Sequence, residues 1–212
     1  DEGITPSTEK QWELINRKGM PVVLFINKFD LPEVNFTKVW EEMKSFFGKN
    51  LLLINYPIIK ESVLTEVVDS LRVKPDEHPD FKQYVQNSMD VIAELDDSLM
   101  EKYLEGTEIS QEEMVHYLKI GVKEQKIIPV LTGSVVKQVG ISEFIDFILK
   151  YLPSSEEMPP LKVVNAKGEE QEIYRNPEQP LTGIVSKTVF DPFAGKMSYV
   201  RVYSGRLKTN SQ

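Results

Sequence analysis

Met20-Pro21-Val22-Val23-Leu24-Phe25-Ile26 is an unbroken apolar run, followed at once by Asn27-Lys28-Phe29-Asp30. The run is too short for a buried helix. Its β-branched content and turn-forming flanks read as a central strand covered on both faces. Just upstream, Trp12 and Ile15 share one face of a helical stretch from Thr8 to Lys18. Ser7 or Thr8 can cap its start, and Gly19 suits a left-handed C-terminal residue. A helix feeding such a strand is half of a parallel α/β repeat. Ligands of open α/β sheets bind beyond the carboxyl ends of the strands, which is where residues 27–30 fall.

Working outward, Phe36, Val39, Trp40, Met43 and Phe46 or Phe47 recur at helical spacing up to Gly48. Leu51-Leu52-Leu53-Ile54 is a second strand candidate, and Ile127-Ile128-Pro129-Val130-Leu131 a third. Between them, Pro57 to about Pro79 is less regular; Val67, Val68 and Leu71 hint at a strand or a short helix. Lys82 to Leu104 reads as one long helix closed by Gly106. Ser110-Gln111-Glu112-Glu113 has the form of a capping box opening a helix to about Glu124. Ile141 to Leu152 is amphipathic and stops at Pro153.

Beyond Pro153 the character changes. Ser154 to Pro160 is a Pro/Ser/Glu linker, and Pro177 to Pro180 is rich in turn formers. Leu181–Phe190 and Met197–Tyr203 read as strands joined around Asp191-Pro192-Phe193-Ala194-Gly195. Two antiparallel strands are too few to stand alone, so they are expected to open a β-barrel. The chain starts at Asp1 rather than Met, and both ends read as cut from something longer.

The 212 residues carry 41% hydrophobic and 27% charged side chains, which is globular composition with material for a core. There is no cysteine, which excludes disulfides and thiolate metal sites and permits a cytoplasmic location. No run approaches the ~18 apolar residues of a membrane span, so no membrane partner is expected. The net charge of -8 repels phosphate overall, so nucleic acid would have to meet a local basic patch.

The residue types at 27–30 carry a specific chemistry. Asn-Lys-x-Asp is a guanine-recognition signature. Guanine presents N1–H and N2–H donors beside the O6 acceptor, and an ionised Asp30 can accept both donors. The stem of Lys28 can lie on the purine while its charge stays wet. Adenine has no donor at N1 and would leave Asp30 desolvated and unpaired. After the later strand comes Thr132-Gly133-Ser134-Val135, placed where guanine sites carry a loop whose backbone N–H groups meet O6.

These motifs together resemble elongation factor G, a translational GTPase, along nearly the whole chain. Gly3-Ile4-Thr5-Pro6-Ser7-Thr8-Glu9 is similar to the segment after that family's second switch. Leu99 to Gly106 resembles its inserted subdomain, Ile128 to Val135 its last nucleotide loop, and Asp191 to Lys196 with Arg201 to Gly205 its second-domain hairpin. Phe29 replaces a usual Met, and Val135 a usual Ala. The resemblance implies part of a P-loop-GTPase-type parallel sheet with an inserted α+β subdomain, followed by the first strands of a β-barrel. Its boundaries are 1–56 for the G domain after the second switch, 57–119 for the insert, 120–153 for the G-domain end and 154–212 for the barrel. The guanine-binding residues it implies are Asn27, Lys28, Asp30, Gly133, Ser134 and Val135, with GTP or GDP as ligand.

The implied whole protein is a ribosome-dependent GTPase that moves tRNA and mRNA. Neither G-x-x-x-x-G-K-[ST] nor D-x-x-G occurs in the chain, so the phosphate cradle and the Mg2+ ligands are expected only in the full-length protein. No catalytic residue is therefore expected here. This piece is expected to bind nucleotide weakly or not at all, to be monomeric and inactive alone, and to have a mobile guanine loop. Alternatives are a ribosomal-protection or elongation-factor-G-like paralogue, and a non-catalytic interaction module. The plainer reading of Asn27, Lys28 and Asp30 is a strand-to-helix turn. His78 and His116 lack partners at ligand spacing and receive no role. Glu94, Asp96, Asp97, Glu101 and Glu105 read as a solvated helix face, and Arg201 and Arg206 as barrel-surface charge.

Overall fold

The computed structural model describes residues 3–61, 63–72, 81–107 and 109–210, so His78 lies outside the described residues. The chain divides into two compact units, Asp1–Leu152 and Pro153–Gln212.

The first unit is built on a parallel sheet of three strands, β1 (Leu24–Ile26), β2 (Leu51–Leu53) and β5 (Ile128–Thr132), in the order β1-β5-β2. Leu24 pairs with Val130 on one side of β5, and Leu53 pairs with Val130 on the other. The central, wholly buried strand is therefore β5. This corrects the expectation for residues 20–26. Only Leu24–Ile26 join the sheet, as a half-buried edge strand, and Met20 remains 47% exposed. Composition cannot separate the two strands, because both are apolar; what differs is the number of neighbours each one pairs with.

Side chains alternate across this sheet as the pleat requires. Leu51, Leu53, Ile128 and Val130 enter one core with Phe36, Trp40 and Met43 of helix α2 (Phe36–Phe47). Leu52, Ile54, Ile127 and Leu131 enter a second core with Ile92, Leu99, Leu118, Val122 and Phe147. Burying an aliphatic side chain fully is worth about 1.5–3 kcal/mol. A one-residue slip of β5 would exchange its two faces, so both cores hold its register.

Helix α1 (Pro6–Lys18) begins earlier than Thr8. Thr5, not Ser7 or Thr8, is the cap, and its hydroxyl accepts the Thr8 N–H at 3.3 Å. Pro6 fits the first turn, where no backbone donor is needed. Gly19 closes the helix at φ 59°, as expected. The less regular stretch after β2 contains an antiparallel hairpin of β3 (Asn55–Lys60) and β4 (Val63–Asp69), irregular at Ile58/Ile59, and its residues 73–79 lie outside the described residues.

The expected long helix is two helices, α3 (Lys82–Ala93) and α4 (Asp97–Glu105). Asp96 breaks it. Asp96 is extended, at φ -155°, and its carboxylate accepts the Ser98 N–H at 2.9 Å, capping a new helix instead of continuing the old one. Hydrophobic period alone hides such a break, because apolar residues recur on both sides of it. The capping box at Ser110 and Glu113 is present and opens α5 (Gln111–Lys123), and α6 (Ile141–Tyr151) follows β5. Among the described residues no helix is long and apolar enough to cross a membrane.

The second unit holds two hairpins, β6 (Leu161–Val164) with β7 (Glu170–Ile173) and β8 (Thr182–Asp191) with β9 (Gly195–Ser204). The β8–β9 hairpin turns where expected. The Asp191 carboxylate accepts the Phe193 and Ala194 N–H groups at 2.8 and 2.7 Å, and Gly195 takes φ 75°. The β6–β7 hairpin has no counterpart in the sequence reading. Glu170-Gln171-Glu172 is polar on both faces and carries no alternating apolar signal.

Lys102 of α4 and Glu113 of α5 form an ion pair. Together with the Ser110 hydroxyl and N–H, it holds the Glu113 carboxyl down at about 2. A depressed carboxyl stabilises the fold above its ordinary value of 4.5 and loses that contribution as pH falls toward 2. In urea titrations, wild type is expected to exceed Glu113→Gln at neutral pH. The gap should close between pH 4.5 and about 2, and added salt should shrink it because the pair is solvent-facing.

Candidate functional site

Two loops leave the carboxyl ends of adjacent parallel strands, Asn27–Asp30 after β1 and Gly133–Val139 after β5. Backbone bonds stitch them together. Gly133 N–H donates to the Ile26 carbonyl at 3.0 Å, and Phe29 N–H donates to the Gly133 carbonyl at 3.2 Å. A side chain adds a third stitch, because Asn27 Oδ1 accepts the Val135 N–H at 3.0 Å and the Lys28 N–H at 2.8 Å.

Each loop residue has a separable task. Phe29 is buried in the core, 6.1 Å from the Phe36 ring, and anchors the first loop. Its neighbour Lys28 sits exposed at φ 70°, a left-handed conformation costing an ordinary residue roughly 1–2 kcal/mol. Strain of this kind concentrates at functional sites. Asp30 is half-buried, and its Oδ1 is shielded from water with no hydrogen-bonding partner among the described residues. A native structure satisfies the large majority of such atoms, so Asp30 is left with an unmet acceptor at the end of the first loop.

In the second loop, Ser134 is fully buried and organises the turn. Its N–H donates to the Val139 carbonyl at 2.9 Å, and its hydroxyl accepts the Lys137 N–H at 3.1 Å. A Cβ on Gly133 would lie 2.3 Å from the Val139 carbonyl oxygen, and one on Gly140 would lie 2.4 Å from that of Thr132. Only glycine permits this closure.

The structure thus brings Asn27, Lys28, Asp30, Gly133, Ser134 and Val135 into two bonded loops. The Gly133 and Ser134 N–H groups are committed to internal acceptors. The Val135 N–H is taken by the exposed Asn27 side chain. The sequence reading missed Val136, whose N–H meets no acceptor among the described residues. It also missed Asn55, buried at the root of the second loop. An Asn after four consecutive aliphatic residues was the available signal for that one.

An open cleft of about 930 Å3 borders β1, α1 and α2; Asn27 and Lys28 line it, and Asp30 and Gly133–Val135 do not. Among the described residues no three His, Asp or Glu side chains converge to hold a metal. His116 packs edge-on against Tyr117.

A parallel sheet with two stitched loops at its carboxyl ends defines an α/β ligand-binding domain. The family model of the elongation factor Tu GTP binding domain matches residues 1–154. The chain belongs to that family, the guanine-nucleotide domain of translational GTPases. A crystal structure of a protein from Thermus thermophilus is similar over 98% of this chain, with a TM-score of 0.75 and 26% identity. The match covers 31% of that protein, so this chain spans about a third of its length.

Gly133→Ala is expected to force the turn open and cost about 1–3 kcal/mol of stability, the usual range for overpacking. The urea midpoint would register the loss. The amide shifts of Phe29, Val135 and Val139 should move more than those of α5.

Proposed function

We propose that this chain carries the guanine-reading half of a translational GTPase of the elongation factor G type. The observation that carries the proposal is the bonded pair of strand-end loops, Asn27–Asp30 and Gly133–Val139, with Asp30 left an unmet acceptor beside them. Asp30 accepts the guanine N1–H and N2–H, the Lys28 stem covers one purine face, and the loop at Gly133, Ser134 and Val135 turns backbone donors toward O6. Within that loop, the Val136 N–H is the donor that has no internal acceptor among the described residues. Adenine is rejected because it offers Asp30 no donor at N1.

The nucleotide's phosphates and Mg2+ belong to loops carried elsewhere in the whole protein, where GTP would be hydrolysed. That protein would be cytoplasmic and would act on the ribosome with tRNA and mRNA, promoting their translocation. Residues 57–119 would form its inserted subdomain, 120–153 the end of its G domain, and 154–212 the opening of a β-barrel. Alone, this chain would be a monomer without GTPase activity, holding GDP weakly because most of the ligand's charge goes unmatched.

Isothermal titration of GDP, with ADP as control, tests the reading. GDP is expected to bind near the millimolar level, about -4 kcal/mol, with no detectable ADP binding. Asp30→Asn should weaken GDP by about 10- to 100-fold, as expected on losing hydrogen bonds to a charged acceptor. Equal affinity for GDP and ADP, or no change on Asp30→Asn, would overturn it.

A further inference from the structure

Thr132 ends β5, and the base-side loop starts from it. On its β1 side the ladder runs through to this residue, with Ile26 paired to Thr132. On the β2 side the ladder stops short. Ile54 N–H donates to the Val130 carbonyl at 2.9 Å, and the next rung of a parallel ladder would send Thr132 N–H to the Ile54 carbonyl. That carbonyl instead accepts the Ser70 N–H at 3.0 Å, because the chain has peeled away to form the β3–β4 hairpin.

The Asn55 side chain fills the gap. Its Oδ1 accepts the Thr132 N–H at 2.6 Å and the Thr132 hydroxyl at 3.0 Å, and its Nδ2 donates to the Thr132 carbonyl at 3.3 Å. A primary amide has the donor and acceptor of a peptide group, so Asn55 stands in for a missing stretch of strand. Both residues are buried, Asn55 to 1% exposure and Thr132 to 0%, leaving water no access to replace the contacts.

Taking the guanine reading as its basis, we propose that Asn55 is a positioning residue of that site. It acts through Thr132 and touches no ligand. By fixing both backbone groups of Thr132, it sets the direction in which Gly133 departs. That direction decides whether the Gly133 carbonyl meets Phe29 and whether Val135 and Val136 face the base bound by Asp30. The same amide fastens the β3–β4 hairpin to the base-reading loop, so a displacement of one is felt at the other. An ordinary buried polar pair would explain the burial. It would not explain why the amide occupies both vacant rungs at the one residue from which the loop departs.

Native-state amide hydrogen exchange on this chain, with and without GDP, tests the proposal. Asn55→Ser, whose side chain is too short to span both groups, should speed exchange at Phe29 and Gly133 about tenfold relative to Val130, as loss of one buried hydrogen bond would. Ser70→Ala removes a buried hydroxyl that donates to the Leu53 carbonyl at the same junction without touching Thr132, and should leave that ratio unchanged. Thr132→Val removes only the hydroxyl contact with Asn55; it should shift the ratio in the same direction by less and keep the fold if Asn55→Ser does not. GDP should perturb the Asp30 and Val135 amides of wild type and not those of Asn55→Ser.

Unchanged Phe29 and Gly133 exchange in both Asn55→Ser and Thr132→Val overturns the positioning role, while a GDP response in wild type leaves the guanine reading standing. Faster exchange that spreads equally to Val130 in both variants also overturns it. If GDP perturbs neither amide in wild type, the guanine reading falls, and the assignment of Asn55 to that site falls with it.

Discussion

The burial of β5 between two parallel neighbours is the constraint from which the first unit follows. All five of its residues are enclosed, and its two faces feed two separate cores. A strand held on both edges and both faces cannot slide, so the point where it ends is fixed in space. Thr132 marks that point. The loop that follows inherits its position from the strand and needs only local chemistry to close: a glycine where a Cβ would strike a carbonyl, and a buried serine that satisfies the turn from within.

The first loop is secured differently. β1 has three residues and one neighbour among the described strands, which is little to hold the loop that follows it. The holding comes from Phe29, buried in the core under α2, and from the stitches to Gly133 and Val135. The position of the loop after β1 is therefore set from β5 by way of the loop that follows β5. This also explains how Lys28 keeps a left-handed backbone: its neighbours on both sides are bonded and leave it no relaxed alternative.

The parts legible in the sequence were those whose cause is local. The helix closures at Gly19 and Gly106, the capping box at Ser110 and Glu113, and the Asp191–Gly195 turn each depend on a few adjacent residues. The signature Asn27-Lys28-Phe29-Asp30 was likewise readable, because its position after an apolar run is a sequence fact. Errors arose where the deciding partner is distant. Whether residues 20–26 or 127–131 formed the central strand depended on pairing across some hundred residues of chain. The break at Asp96 is a competition between continuing α3 and capping α4, which a repeat of apolar residues does not register. Asn55 looked like the polar end of an aliphatic strand, since its partner Thr132 lies 77 residues away.

Charge separates the two units in a way that bears on the proposed ligand. Residues 153–212 contain eight Lys or Arg and seven Asp or Glu, so the net charge of -8 comes from the unit that carries the two loops. An acidic body disfavours a nucleotide's phosphates, and the Debye length of about 8 Å at physiological ionic strength screens this only partly at contact range. Base recognition by a carboxylate adds a further negative group at the site itself. A domain of this charge can hold guanine through hydrogen bonds, but it needs concentrated positive charge and backbone donors elsewhere to hold the phosphates. On the proposed reading, base recognition would therefore fall to these two loops and charge neutralisation to groups outside them.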